Sequence, residues 1–224
     1  MAALPLTAKR VLVTRAAHQA QSFVRLLEAQ GATAITCPLI EIVAPTSWQP
    51  LDEALARLQD YDDLILTSVN AVDMVFGRLK NAAVPNAALD GVRLVCVGPK
   101  TAKSLQHYGY QPDLQPDEYR AEAVVAALTA EGVRGRKVLY PRAELARDLI
   151  PSSLTQAGAQ VDDPIAYRTL PAQGSALQIR TLLHDEAVDV VTFSSSSSVD
   201  NFVDLLGDDV ATLTRHVFWH PSDR

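Results

Sequence analysis

Val11-Leu-Val-Thr-Arg15 and Val138-Leu-Tyr-Pro-Arg142 are the two stretches on which the reading of the fold turns. Each is a short apolar run closed by an arginine, and each leads into a segment with helical spacing, 20–30 and 146–157. Both helices are expected to stop at a glycine followed by alanine, Gly31-Ala32 and Gly158-Ala159, since glycine suits the left-handed turn after a helix. The arginines and the glycines are each 127 residues apart, so the two stretches align without a gap.

The same offset finds a second pair. Leu64-Ile-Leu-Thr-Ser-Val-Asn-Ala-Val-Asp73 falls on Val191-Thr-Phe-Ser-Ser-Ser-Ser-Ser-Val-Asp200, with Thr67 on Ser194, Ser68 on Ser195 and Asp73 on Asp200. Both read as a buried strand, a hydroxyl-rich turn and an amphipathic helix. Two independent motifs sharing one offset make the chain a duplication. A third element, Val92-Arg-Leu-Val-Cys-Val-Gly-Pro-Lys-Thr-Ala102, reads as a strand, a Gly-Pro turn and a helix start. Its counterpart would fall past residue 224, and Arg215-His-Val-Phe-Trp-His-Pro-Ser-Asp-Arg224 lacks the motif, so the second copy reads as cut short.

Strands alternating with helices imply an α/β protein with parallel sheets covered on both faces. Pro38-Leu-Ile-Glu-Ile-Val-Ala-Pro45 and Pro164-Ile-Ala-Tyr-Arg-Thr-Leu-Pro171 break that rhythm at equivalent points of the repeat. They are expected to be two linkers running side by side between two domains. The repeat alone also permits two domains in succession.

Composition narrows the class. Charge totals −6 with no basic block, which argues against nucleic acid and requires any anionic ligand to be held by local donors. The N-terminal MAALPLTAKR has no apolar run of signal-peptide length, and nothing approaches a membrane span. Cys37 and Cys96 are far apart in apolar surroundings and are expected to be buried free thiols in a reducing cytoplasm.

In open parallel sheets, ligands bind beyond the carboxyl ends of the strands. Arg15 and Arg142 end the first strands of the two copies. Thr67, Ser68 and Asn70 follow another strand, Ser194, Ser195 and Ser197 follow its partner, and Gly98, Lys100 and Thr101 follow the third. Each turn opens a helix, whose free N–H groups receive carboxylate or phosphate without net basic charge. The bland alternative is that the hydroxyls are ordinary helix caps. Several such turns around one cleft between the domains favour a small polyanionic substrate. No G-x-G-x-x-G or Walker sequence is present, so no nucleotide cofactor is expected. His216 and His220 lie four apart without a neighbouring carboxylate motif, so no metal is expected. The pairs Asp62-Asp63, Asp162-Asp163 and Asp208-Asp209 are expected to be solvated. Tyr167 stands on the second linker, as a cleft-facing phenol or a structural aromatic.

Together VLVTR, PLIEI, LILTSVNAV, VCVGPKTA, VLYPR, AYRT and VTFSSSSSV resemble the uroporphyrinogen-III synthase family, in order and spacing, over roughly residues 9 to 206. The resemblance implies two α/β domains joined by a two-stranded linker with the active site in the cleft. It places residues 1–36 and 172–224 in the first domain, 44–163 in the second, and 37–43 and 164–171 in the linkers. It implies cyclisation of hydroxymethylbilane, a linear tetrapyrrole, to uroporphyrinogen III by a monomer that needs no cofactor or metal. The terminal hydroxyl leaves as water, the last pyrrole is inverted through a spiro intermediate, and the ring closes. Tyr167 matches the family's linker tyrosine and is implied to assist departure of the hydroxyl, since a phenol is protonated at neutral pH. Thr67, Ser68, Asn70, Ser194, Ser195 and Ser197 would bind carboxylates, with Gly98 and Thr101 at the third turn; Arg15 and Arg142 would do the same or hold strand ends. Family members continue with a second Gly-Pro-x-Thr-Ala-like motif. Its loss here is expected to remove a strand, a helix and one anion-binding turn from the first domain. The rival reading is a non-catalytic relative that binds the linear tetrapyrrole without turnover. A periplasmic binding protein should carry an export signal, and a receiver domain should carry acids where Thr14-Arg15 stand.

Overall fold

The computed structural model describes residues 4–82, 86–194 and 196–221. In chain order it begins with β1 (Arg10–Val13), α1 (Ala17–Ala29), β2 (Thr33–Thr36), β3 (Ile40–Val43) and α2 (Gln49–Ala56). The middle runs β4 (Asp63–Leu66), α3 (Val69–Asn81), β5 (Arg93–Cys96), α4 (Pro99–His107), α5 (Ala121–Glu131), β6 (Lys137–Leu139), β7 (Arg142–Ala143) and α6 (Leu149–Gln156). The chain returns through β8 (Gln160–Asp162), β9 (Ile165–Pro171), α7 (Ser175–His184), β10 (Val190–Phe193), α8 (Ser196–Leu206), α9 (Val210–Leu213) and β11 (Phe218–Pro221).

The chain divides into two compact units, 1–42 with 170–224 and 43–169. The first holds a sheet in the order β11-β10-β1-β2 and the second a sheet in the order β5-β4-β6-β8, with every pair in both parallel. The chain leaves the first unit within β3 and re-enters it within β9.

Duplication is written into this topology. The 127-residue offset carries the first residues of β1, β2 and β4 onto those of β6, β8 and β10. Strand order is then the same in both sheets, yet each sheet takes two strands from each copy. Even a side-chain contact repeats: Asp189 Oδ2 accepts from the Arg10 amide at 2.7 Å, and Asp62 Oδ2 from the Lys137 amide at 2.7 Å.

Strands covered on both faces by helices must be apolar throughout. Leu12, Val191 and Phe193 pack with Ile179 and Phe202 in the first unit, and Ile65, Val95 and Val138 with Val124, Leu128 and Leu154 in the second. Gly31 and Gly158 adopt φ of 91° and 96° after α1 and α6, as their position demands. Cys37 and Cys96 are buried free thiols, and burial pushes the Cys96 thiol up to about 11. Among the described residues, no helix is long and apolar enough to cross a membrane.

Three expectations are corrected. Residues 218–221 form β11 on the open edge of β10, so the strand expected to be missing from the first unit is present. The apolar run Val217-Phe-Trp supplies a parallel partner without the Gly-Pro motif. Arg142 does not end β6: the strand stops at Leu139, Pro141 cannot donate to a ladder, and Arg142 joins β9 in the separate strand β7. The second helix therefore starts at Leu149, later than Ala146. Nor are the acidic pairs merely solvated, because Asp63 is fully buried between Arg93 Nε at 2.6 Å and Arg136 Nε at 2.7 Å.

Candidate functional site

Parallel strands bring all their carboxyl ends to one edge of the sheet. In the second unit that edge holds the turns after β5, β4 and β6, side by side. Ser68 is the N-cap of α3, its Oγ accepting from the Ala71 amide at 3.0 Å. The same Oγ lies 3.1 Å from the phenol oxygen of Tyr167, a residue of β9 that is 8% exposed. Ser68 and Tyr167, singled out separately and 99 residues apart, thus share a hydrogen bond. Asn70 lies in the first turn of α3.

Tyr140, directly after β6, went unnoticed in the sequence although it stands inside VLYPR. It is buried, with its ring in the core cluster that holds Ile65, Val138 and Ile150. Burial pushes the Tyr140 phenol up, opposed by Thr67 and by nearby Arg142. A tyrosine closing an apolar strand was the available signal, because so large a ring at that place is drawn into the core.

The third turn is built differently. Gly98 caps α4 without a side-chain bond, leaving the first-turn amides of that helix without a cap. Its backbone is extended, and its requirement for glycine is spatial: a Cβ there would meet Tyr119 Cβ at 3.0 Å and Cγ at 3.1 Å. Tyr119 covers this turn while remaining largely exposed. Thr101 is buried in the first turn of α4, so its amide rather than its hydroxyl is suited to a ligand.

The two arginines part company. Arg142 donates from Nε to Asp163 at 2.8 Å and from NH1 to the Ala146 carbonyl at 3.2 Å, with Asp148 3.4 Å from NH2. Those bonds hold strand ends together. Arg15, two residues beyond β1, has its Nε withdrawn from solvent with no hydrogen-bond partner among the described residues. Leaving such a donor unmatched costs about 1–3 kcal/mol, and an arriving carboxylate would recover it. Beside it, Ala16 is the N-cap of α1 and makes no side-chain cap bond. Ser194 is exposed at the carboxyl end of β10, Ser195 lies outside the described residues, and Ser197 falls in α8 with its side chain outside them. His220 likewise has no described side chain, and no three His, Cys, Asp or Glu side chains gather to hold a metal among the described residues.

The second unit offers a buried phenol beside hydroxyls and helix amides, and the first offers a guanidinium nitrogen unmatched among the described residues. A sequence model described as uroporphyrinogen-III synthase HemD matches residues 21–220. The uroporphyrinogen-III synthase of Synechococcus elongatus is 38% identical over 208 residues, 92% of this chain and 78% of the relative. That of Chlorobaculum parvum is 28% identical over 201 residues, 89% of this chain and 80% of the relative. A crystal structure of a mutant uroporphyrinogen III synthase from the extreme thermophile Thermus thermophilus superposes with a TM-score of 0.63 at 18% identity, covering 97% of this chain and 94% of that one. It is similar in fold, an α/β architecture with parallel sheets flanked by helices.

Proposed function

Because this chain belongs to the uroporphyrinogen-III synthase family, we propose that it cyclises hydroxymethylbilane to uroporphyrinogen III, with Tyr167 as the proton donor to the departing hydroxyl. The observation that carries this assignment is the buried Tyr167 phenol held 3.1 Å from the Ser68 hydroxyl at the head of α3. Breaking the C–O bond releases hydroxide unless a proton arrives with it, and a phenol within a dry, hydrogen-bonded surround supplies that proton. The ring proton lost on closure returns the phenol to its starting state, so the dehydration consumes no acid overall.

The remaining residues position the chain. Ser68, Thr67, Asn70 and the amides of α3 and of the Gly98–Thr101 turn receive acetate and propionate groups from one side of the substrate. Arg15, Ser194 and the neighbouring serines Ser195 and Ser197 receive them from the other. Arg142 acts as a strap for strand ends. In this reading the units are two domains, 1–36 with 172–224 and 44–163, joined by linkers 37–43 and 164–171, and the protein works as a monomer. Positioning of this kind contributes several kcal/mol to a cyclisation and selects its geometry.

The test is the isomer ratio. Hydroxymethylbilane is supplied enzymatically, the protein is added, and the oxidised uroporphyrins are separated by chromatography. Excess isomer III over the protein-free control is the expected outcome, and Tyr167→Phe should lower its rate of formation about 100-fold. Isomer I alone at the spontaneous rate, with the bilane still bound, would instead establish a binding relative without turnover.

A further inference from the structure

We propose that Tyr119 is a substrate-contacting residue, its ring forming an aromatic wall beside the Gly98–Thr101 turn on which one pyrrole of the linear tetrapyrrole rests. The inference rests on the reading of the chain as a cyclase of hydroxymethylbilane and gives that site a residue which the reading leaves unused.

Among the described residues of the second unit, three large apolar side chains are exposed: Tyr108, Tyr119 and Leu145. Tyr108 is accounted for, with its ring stacked on Phe76 at 4.9 Å and its hydroxyl donating to Asp73 at 3.2 Å. Leu145 stands on the loop after β7 and presents no ring. Tyr119 is 63% exposed, and no described residue stacks on its ring or bonds its hydroxyl. Exposure alone would mean little, since single apolar side chains are common on surfaces. What sets Tyr119 apart is where it stands and how firmly it is held.

Leu114 bridges to Val95 in parallel, with the Cys96 amide donating to the Leu114 carbonyl at 2.9 Å, so the chain beyond runs past the carboxyl end of β5. There the root of the Tyr119 side chain lies on Gly98. A Cβ at position 98 would meet Tyr119 Cβ, Cγ and Cδ1 at 3.0, 3.1 and 3.2 Å. These are the near atoms of the side chain, so the origin of the ring is pinned while its outer face stays open. Leu66 pairs with Cys96 and its carbonyl accepts from the Val97 amide at 3.2 Å, so the Gly98 and Ser68 turns leave the sheet side by side. Ser68 is the hydroxyl that meets Tyr167.

A pyrrole offers an apolar face and a positively polarised N–H edge, and a phenol ring suits both. Amides that bind carboxylates do not by themselves tell a tetrapyrrole from another polyanion. An aromatic wall beside them does.

Tyr119→Ala is expected to raise KM for hydroxymethylbilane about tenfold, the weight of one aromatic contact, with kcat within about twofold. The unfolding midpoint should stay at the wild-type value, because the ring is exposed. Tyr119→Phe keeps the ring and should return KM to within about twofold of the wild type. Gly98→Ala forces the ring from its seat and should raise KM as Tyr119→Ala does, which keeps the test open if Tyr119→Ala proves unstable. Wild-type KM in Tyr119→Ala or Gly98→Ala, or a Tyr119→Phe enzyme as impaired as Tyr119→Ala, would overturn the inference and leave the cyclase reading standing. Wild-type protein that yields isomer I alone would overturn that reading and this inference with it.

Discussion

At the end of β1 the chain reads Val13-Thr14-Arg15, and at the equivalent end of β6 it reads Tyr140-Pro141-Arg142. In the first unit Thr14 stays in register and bonds the Thr192 carbonyl, and the arginine after it keeps a buried Nε with no partner among the described residues. In the second, Pro141 breaks the ladder, the chain turns into β7, and the arginine is consumed by Asp163, Asp148 and a carbonyl. Identical residue types at repeat-equivalent positions have therefore diverged in their surroundings, one bound into the scaffold and the other left with a buried nitrogen that no described residue matches. A single proline decides it, by removing one backbone donor at the sheet edge.

The strand starts differ in the same spirit. Asp63 of β4 corresponds to Val190 of β10, so the second unit holds a buried carboxylate in an ion network where the first has a half-buried valine. Removing one partner of such a network leaves charges without compensation. Asp63→Ala is expected to lower the unfolding free energy by about 3 kcal/mol in urea denaturation, whereas Val190→Ala should cost about 1 kcal/mol. Equal losses would show that Arg93 and Arg136 satisfy themselves elsewhere, Arg93 through Glu131.

Next in size is the contrast between the arginines. Arg142→Met should destabilise by about 1–2 kcal/mol, since it strands a partly buried Asp163. Arg15→Met should leave unfolding within about 0.5 kcal/mol of the wild type and raise KM about tenfold, the effect of one charge-assisted hydrogen bond. The reverse pattern would move the substrate-binding arginine to the second unit.

The smallest effect tests what the units share. The Arg10 guanidinium and amide hold the Asp189 carboxyl at about 2, below its ordinary value. A depressed carboxylate contributes stability that is fully present above about pH 4 and is lost as pH falls toward 2. Asp189→Asn should flatten the acid limb of the stability profile in that window and leave its shape above about pH 5 unchanged. The pair is partly exposed, so high salt should diminish the difference.

Much of the site was legible because its signals are local. Strand, hydroxyl and helix follow one another within ten residues at 64–73, and Ser68 caps α3 as its position predicts. Tyr140 and Tyr119 were not legible. One is packed against Ile65, far away in the chain, and the other lies close over the Gly98 backbone, and neither contact leaves a periodic trace. The burial of the Arg15 Nε, unmatched among the described residues, is a fact about surroundings rather than about residue type.

By itself, the sequence determined the duplication, the parallel α/β class, the strand ends where polar residues gather and the glycines that close α1 and α6. Those features depend on period and on backbone preference within short windows. Only the tertiary structure decided that β1 pairs with β10 while β4 pairs with β6, that residues 218–221 complete a sheet, and that Arg142 is a strap. A duplication supplies two chemically equivalent partners for each strand, so local pattern cannot choose between them. The choice falls to packing between residues far apart in the chain, 179 positions in the case of Val11 and Val190.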